Sequence, residues 1–304
     1  MSPIEREIDG IELEHHDVVA GDVRLHVVTA GAGEPVLLLH GFPDTWITWR
    51  RTMAALVGAG RRVVAPELRG YGRSEKPHGI DAYSIDALTG DLAHLAAWAG
   101  GGPVDTVGHD WGAIVAWYAA MHRPDAIRRL AILNVPHPEV YRAKVFATAQ
   151  WRRSWYGAVF QIPWLPERLL GARRAEAIVR AHVDESAPGT VSREELDVYR
   201  ETFSVPGALT SAIHYYRMLA RPRFRARLFD TRKIDAPTLL LWGEHDPFLV
   251  PEVSEGTEEW VENLDVVRFP DAGHWVHRDA ADGVHERLLA FLGGCALASA
   301  DGAS

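Results

Sequence analysis

The chain has 304 residues, 32 Lys+Arg against 41 Asp+Glu for a formal net charge of −9, 47% hydrophobic residues and one Cys. This length suits two domains or one large α/β unit carrying an insertion, and the apolar fraction supplies a core without cross-links. A negative balance with no long basic block leaves no electrostatic footprint for nucleic acid or an anionic membrane, and the lone Cys295, read as a structural or surface thiol, excludes a disulfide framework and a Cys-based zinc site. The opening Met1 to Glu7 is acidic instead of basic and then apolar, unlike a secretory signal, so a cytoplasmic location is expected. No window approaches the run of about 20 apolar residues that a membrane-spanning helix needs.

From residue 11 the alternation in Val23-Arg24-Leu25-His26-Val27-Val28 predicts half-buried antiparallel strands at a sheet edge. Adjacent His15 and His16 lie there on opposite faces, which argues against a metal pair. Short apolar runs follow at Pro35 to His40, Arg62 to Pro66, Val104 to Gly108, Leu130 to Asn134 and Pro237 to Trp242, each bounded by Gly, Pro or polar residues, as in buried parallel strands. Helical patterns fill 46–59, 85–99 and 113–122; in the second, Ile85, Leu88, Leu92, Leu95 and Ala96 share a face. The alternation predicts an α/β fold with a mostly parallel central sheet covered by helices on both faces. It stops after Asn134 and returns near Pro237, and the stretch between carries helical periodicity and aromatics, which predicts an inserted helical cap. The expected organisation is a core at 1–135 and 230–296, a cap at 136–229, and a flexible tail at 297–304. Within the cap, Ser192-Arg193-Glu194-Glu195 has the form of a capping box that starts a helix. The arginines 217, 221, 223, 225 and 227, interleaved with Leu219, Phe224 and Leu228, read as a solvated face.

The segment Val107-Gly108-His109-Asp110-Trp111-Gly112-Ala113 ends an apolar strand and opens a helix, with small residues around one acidic side chain. This is the nucleophile-elbow arrangement with Asp in the place of Ser. Taken alone it reads more readily as a helix-capping Asp after a strand. His40-Gly41-Phe42-Pro43 follows the neighbouring strand, where such a fold supplies one oxyanion N–H from Phe42, the other coming from Trp111. With Arg69-Gly70-Tyr71-Gly72-Arg73-Ser74 after the next strand, the chain resembles the α/β-hydrolase superfamily from about residue 12 to 293.

The resemblance implies a catalytic order of nucleophile, acid and histidine. The chain offers Asp110, then Asp246 in Gly243-Glu244-His245-Asp246, then His274 in Ala272-Gly273-His274-Trp275, with Glu244 and Asn134 as fallback orienters of the histidine. It also implies a cis bond at Phe42-Pro43. A carboxylate attacks an electrophilic sp³ carbon without prior deprotonation, forming an ester that a His274-activated water then hydrolyses. The cap segments Ser154-Trp155-Tyr156-Gly157-Ala158-Val159-Phe160-Gln161 and Ile213-His214-Tyr215-Tyr216-Arg217 resemble the epoxide hydrolases, which implies Tyr156 and Tyr216 as donors to the epoxide oxygen, with Tyr215 the alternative for the second. Trp111, Phe42, Tyr215 and His137 are the expected substrate-binding residues, His137 within a Pro136-His137-Pro138 hinge.

The implied activity is conversion of a small-molecule epoxide and water to a vicinal diol, without cofactor or metal; a homodimer is compatible with the sequence. Two other readings stand beside it. A haloalkane or haloacid dehalogenase would share the Asp110-Trp111 pair, with the Trp111 indole and a cap Trp such as Trp151, Trp155 or Trp164 gripping halide, but Phe42 stands where the dehalogenases commonly carry Asn. A non-catalytic binding protein of the same fold would show a broken triad.

Overall fold

The computed structural model describes residues 3–294. Cys295 and the expected flexible tail lie outside the described residues. The chain opens with a small antiparallel ribbon of β1 (Glu7–Ile8) and β2 (Ile11–Glu12). β3 (Glu14–Ala20) and β4 (Val23–Ala30) form an antiparallel hairpin. Its turn includes Gly21 at φ 64°, a left-handed conformation that a Cβ disfavours. His15 bonds His26 and the Glu5 carbonyl while His16 bonds Thr29, the two-faced pattern that strand alternation dictates.

β5 (Pro35–Leu39), β6 (Arg62–Pro66), β7 (Val104–His109), β8 (Ile127–Leu133), β9 (Thr238–Gly243) and β10 (Leu264–Phe269) complete an eight-stranded sheet in the order β10-β9-β8-β7-β5-β6-β4-β3. Strands β5 to β10 run parallel, and within this sheet the pairings of β4 with β3 and β6 are antiparallel. Two expectations need correction. β4 is buried along nearly its whole length because it lies between β3 and β6, leaving β3 as the edge. β10 was not foreseen: as the far edge strand it is only partly covered, so it carries Asp265 and Arg268 and no continuous apolar run.

Helices α1 (Arg50–Gly58), α2 (Ile85–Gly100) and α3 (Trp111–His122) connect the first strands. The Ser84 hydroxyl accepts the Ala87 N–H to start α2, and Gly101, left-handed at φ 72°, ends it. Between β8 and β9 the regular structure is helical throughout: α4 (Pro138–Lys144), α5 (Gln150–Arg153), α6 (Trp155–Val159), α7 (Leu165–Asp184), α8 (Arg193–Ser204), α9 (Ala208–Leu219) and α10 (Arg225–Leu228). α7 is interrupted at Ala172 to Ala175, where three successive residues take positive φ. The capping box forms at α8: Ser192 Oγ accepts the Glu195 N–H at 3.2 Å and the Glu195 carboxylate accepts the Ser192 N–H at 2.8 Å. α11 (Val276–Asp279) and α12 (Ala281–Gly293) close the described chain. No helix among the described residues is long and apolar enough to cross a membrane.

The chain passes from β5 to β6 on one side and then crosses to β7 on the other, so the order reverses between β5 and β7. Loops leaving the carboxyl ends of two such strands diverge and open a crevice, where parallel sheets bind ligands. His40 to Asp44 and Asp110 occupy those two ends.

Candidate active site

Asp110 takes φ 49° and ψ −121°, a conformation that L-residues rarely adopt, on the turn between β7 and α3. Two glycines make room for that turn. A Cβ on Gly108 would lie 2.8 Å from the Ala113 nitrogen, and one on Gly112 would lie 2.1 Å from the Leu39 carbonyl oxygen. Packed this closely, the turn lifts Asp110 against the loop after β5. There the Phe42 N–H donates to Asp110 Oδ1 at 2.6 Å, and the Trp111 N–H also bonds the carboxylate. A Cβ on Gly41 would stand 2.2 Å from the same oxygen. The Phe42-Pro43 bond is cis.

His274 follows β10. Its Nδ1 lies 2.7 Å from Asp246 Oδ2, and its Nε2 lies 3.9 Å from Asp110 Oδ2. A carboxylate only accepts, so the hydrogen sits on Nδ1 and the Nε2 lone pair faces the Asp110 side. Asp246 is buried yet well satisfied: Oδ1 accepts from the N–H groups of Phe248 (2.7 Å) and Leu249 (2.9 Å), and Oδ2 also accepts from Asn134 Nδ2 at 2.9 Å. A Cβ on Gly243 would meet the Gly273 carbonyl at 2.2 Å, so glycine there lets the histidine loop lie directly on the end of β9.

The electrostatics follow from this geometry. Burial raises the pKa of Asp110, and His274 and the two amides only partly offset it. Burial alone would lower that of His274, but the charge and hydrogen bond of Asp246, with Asp110 beyond, more than offset it and leave it raised.

Across from Asp110 lie two phenols from the insertion. Tyr156 on α6 and Tyr216 on α9 meet edge to face with ring centroids 6.0 Å apart. Trp111 bonds the Tyr216 hydroxyl through its side chain. Burial first, and the Asp110 charge second, raise both phenols, so each keeps its proton. Phe160 and Phe42 pack against Tyr216 at 4.8 and 5.7 Å, and Phe248 packs on His274 at 5.1 Å, which makes the walls apolar.

Several expected residues sit elsewhere. Tyr215 gives its hydroxyl to the Arg69 carbonyl at 2.8 Å, away from Asp110, because successive helix positions point about 100° apart. His137 caps α4 by accepting the Glu139 N–H at 3.3 Å, and its ring stacks on Trp260. Glu244 is half-exposed and pairs with Arg268 at 3.5 Å, and Asn134 bonds Asp246 instead of His274. Arg217 is buried and not solvated. It forks onto Glu167 and donates to the Phe160 carbonyl, which ties α9 to the segment after α6. Trp151, Trp155 and Trp164 are exposed large hydrophobics.

The alpha/beta hydrolase fold family model matches residues 34–281. The AB hydrolase superfamily protein YfhM of Bacillus subtilis (strain 168) is 34% identical over 289 residues, covering 94% of this chain and 99% of that protein. Epoxide hydrolase 4 of Mus musculus is 35% identical over 279 residues, covering 89% of this chain and 76% of that protein. Among solved structures, a Bacillus megaterium epoxide hydrolase in complex with an inhibitor aligns with a TM-score of 0.84 at 28% identity, covering 91% of this chain and 100% of that one.

Proposed function

The chain belongs to the α/β-hydrolase fold family, in its epoxide hydrolase group, and from that membership and the surroundings of Asp110 we propose that it converts an epoxide to a vicinal diol through an ester on Asp110. The insertion acts as a cap that brings Tyr156 and Tyr216 to the epoxide oxygen. The Phe42 N–H holds Asp110 Oδ1, leaving Oδ2 to attack a ring carbon. The carbon–oxygen bond breaks toward oxygen, and the developing alkoxide takes a hydrogen bond and then a proton from the phenols. No prior deprotonation is needed, and a raised pKa makes the carboxylate a better nucleophile.

In the second half, His274 Nε2 takes a proton from water. The hydroxide attacks the ester carbon, and the oxyanion forming on Oδ1 is met by the amides of Phe42 and Trp111. Asp246 keeps His274 in the required tautomer and stabilises its cation. The separation of 3.9 Å between Nε2 and Oδ2 exceeds a hydrogen bond and leaves the lone pair free for that water. Collapse releases the diol, one of whose oxygens originates in Asp110, and the proton taken up by His274 is returned through solvent to the phenolate left by ring opening.

The observation that carries this reading is a carboxylate in the elbow, held by two amides and faced by two protonated tyrosines. A halide would need N–H donors, and here the Trp111 indole is engaged by the Tyr216 hydroxyl while Trp151, Trp155 and Trp164 of the insertion are exposed. The test is the intact mass of His274→Gln after exposure to an aryl epoxide and, separately, to a haloalkane. A gain equal to the whole epoxide, mapped to Asp110, supports the reading; an alkyl adduct from the haloalkane alone makes the enzyme a dehalogenase, and no adduct from either removes the ester mechanism.

A further inference from the structure

Behind the site, a buried polar network joins the insertion to the loop that carries the Phe42 amide. His182 on α7 places Nε2 at 2.8 Å from the Pro43 carbonyl and Nδ1 at 3.1 Å from Arg278 Nη1. A guanidinium only donates, so Nδ1 accepts, the hydrogen is on Nε2, and His182 donates to the Pro43 carbonyl. Burial foremost, with Arg278 adding to it, pushes the pKa of His182 down to about 4, so the ring stays neutral. The next residue of the loop is anchored by the same elements. Asp44 accepts from the Tyr199 hydroxyl of α8 at 2.8 Å, from Trp275 Nε1 at 2.9 Å and from Arg278 at 3.4 Å. These side chains are all buried, and the His182 ring stacks on Tyr199 with centroids 3.8 Å apart.

Trp275 directly follows His274 and Arg278 lies four residues after it on α11, so the network touches the loop of the oxyanion donor, the segment of the base and two helices of the insertion. On its other side the loop is closed by the Asp44 N–H donating to the Gly41 carbonyl at 3.1 Å and by His40 Nδ1 donating to it at 2.9 Å. The Gly41 bonds set the Gly41–Phe42 peptide, which carries the Phe42 N–H, and the His182 bond sets the Pro43–Asp44 peptide on the far side of the proline. The Pro43 anchor comes from the insertion.

We propose that His182 is a positioning residue: by donating to the Pro43 carbonyl it aims the Phe42 N–H at Asp110 Oδ1, and it thereby promotes hydrolysis of the ester more than its formation. The inference rests on the Asp110 ester proposed above. During attack the carboxylate loses charge, so a well-aimed amide does not help that step; during hydrolysis a neutral ester oxygen becomes an oxyanion, and the same amide then matters most. Misaiming the amide therefore slows the second step selectively.

His182→Phe keeps a ring for Tyr199 to stack on but has no N–H, whereas His182→Gln keeps an N–H of similar reach. Removing an oxyanion donor outright costs about 10²–10³ in rate, so misplacing one is expected to lower kcat by about 10- to 100-fold. In His182→Phe, KM falls together with kcat, kcat/KM changes little, and rapid-quench mass spectrometry finds the ester as the main steady-state species; His182→Gln restores turnover. Equal losses in kcat and kcat/KM without accumulated ester, or a Gln variant no better than Phe, overturns the proposal. The tautomer is checked in the unmodified protein by imidazole ¹⁵N shifts: Nε2 protonated and Nδ1 bare supports it, and the reverse overturns it whatever the folding of the variants. His274→Gln is the control that separates the two failures, since absence of ester there refutes the underlying mechanism, whereas ester there with normal partitioning in His182→Phe refutes only the role of His182.

Discussion

Removing both phenolic hydroxyls of the insertion, Tyr156→Phe with Tyr216→Phe, is expected to slow ring opening by about 10²–10⁴, the range of a positioned general acid. The same figure follows from the hydrogen bonds. Each O–H aimed at a developing alkoxide is worth about 1.5–3 kcal/mol, or about 10- to 150-fold per tyrosine. The rings stay in place, because Tyr216 is wedged against Phe160 at 4.8 Å and Trp111 at 5.0 Å, contacts that phenylalanine keeps. The loss is thus one of chemistry and not of packing. The assay is single-turnover ester formation in a His274→Gln background, followed by rapid quench and intact mass, so that hydrolysis does not mask the first step. The single variants should each retain part of the rate, since the remaining phenol still donates. Ester forming from epoxide in the double variant at the parent's rate would refute the assignment of both tyrosines.

Asp246→Asn removes the charge that holds the pKa of His274 above the ordinary histidine value and leaves burial, which acts in the opposite direction. Ester hydrolysis needs neutral His274, so in the parent it declines as pH falls through that raised pKa. In the variant the rate drops and the acidic limb moves to lower pH; single-turnover hydrolysis against pH measures it, and a limb that stays put or moves up contradicts the argument. Gly41→Ala would set a methyl 2.2 Å from Asp110 Oδ1, so the Phe42 contact of 2.6 Å must open. A kcat loss of about 10² or more is expected, as for a lost oxyanion donor, and a variant with near-parental kcat would show that the loop yields more freely than its packing suggests.

The parallel strands were legible in the sequence because both faces are covered, which leaves short apolar runs such as Val36 to Leu39 and Leu239 to Trp242. β10 was illegible for the opposite reason, since an edge strand with one free side needs no such run. Asp110, His274 and Asp246 could be named from the loops that carry them, but their meeting depends on the register of β7, β9 and β10, which no local pattern encodes. Tyr215 and Tyr216 are neighbours in sequence and a third of a turn apart on α9; only the seating of that helix sends one to Asp110 and the other to Arg69. Asn134 reads from sequence as a fallback orienter of His274 because it directly follows β8, yet its place beside β9 makes it a donor to Asp246 and to the Gly243 carbonyl. Arg217 was misread because an arginine among arginines on a helix gives no sign of the Phe160 and Ile162 carbonyls brought to it by distant turns.

β8 and β9 are hydrogen-bonded neighbours although the whole insertion lies between them in sequence. The sheet closes as it would if the two strands were joined by a short loop, and each doubling of a connection's length adds only about 0.6 kcal/mol of closure entropy. The expected consequence is a graftable region: helices from a relative, longer or shorter, spliced between Val135 and Ala236 would reshape the chamber while Asp110, Asp246 and His274 remain on the host. The constraint on such chimaeras is chemical: the graft must present phenols where Tyr156 and Tyr216 stand and a donor to the Pro43 carbonyl, as His182 is here.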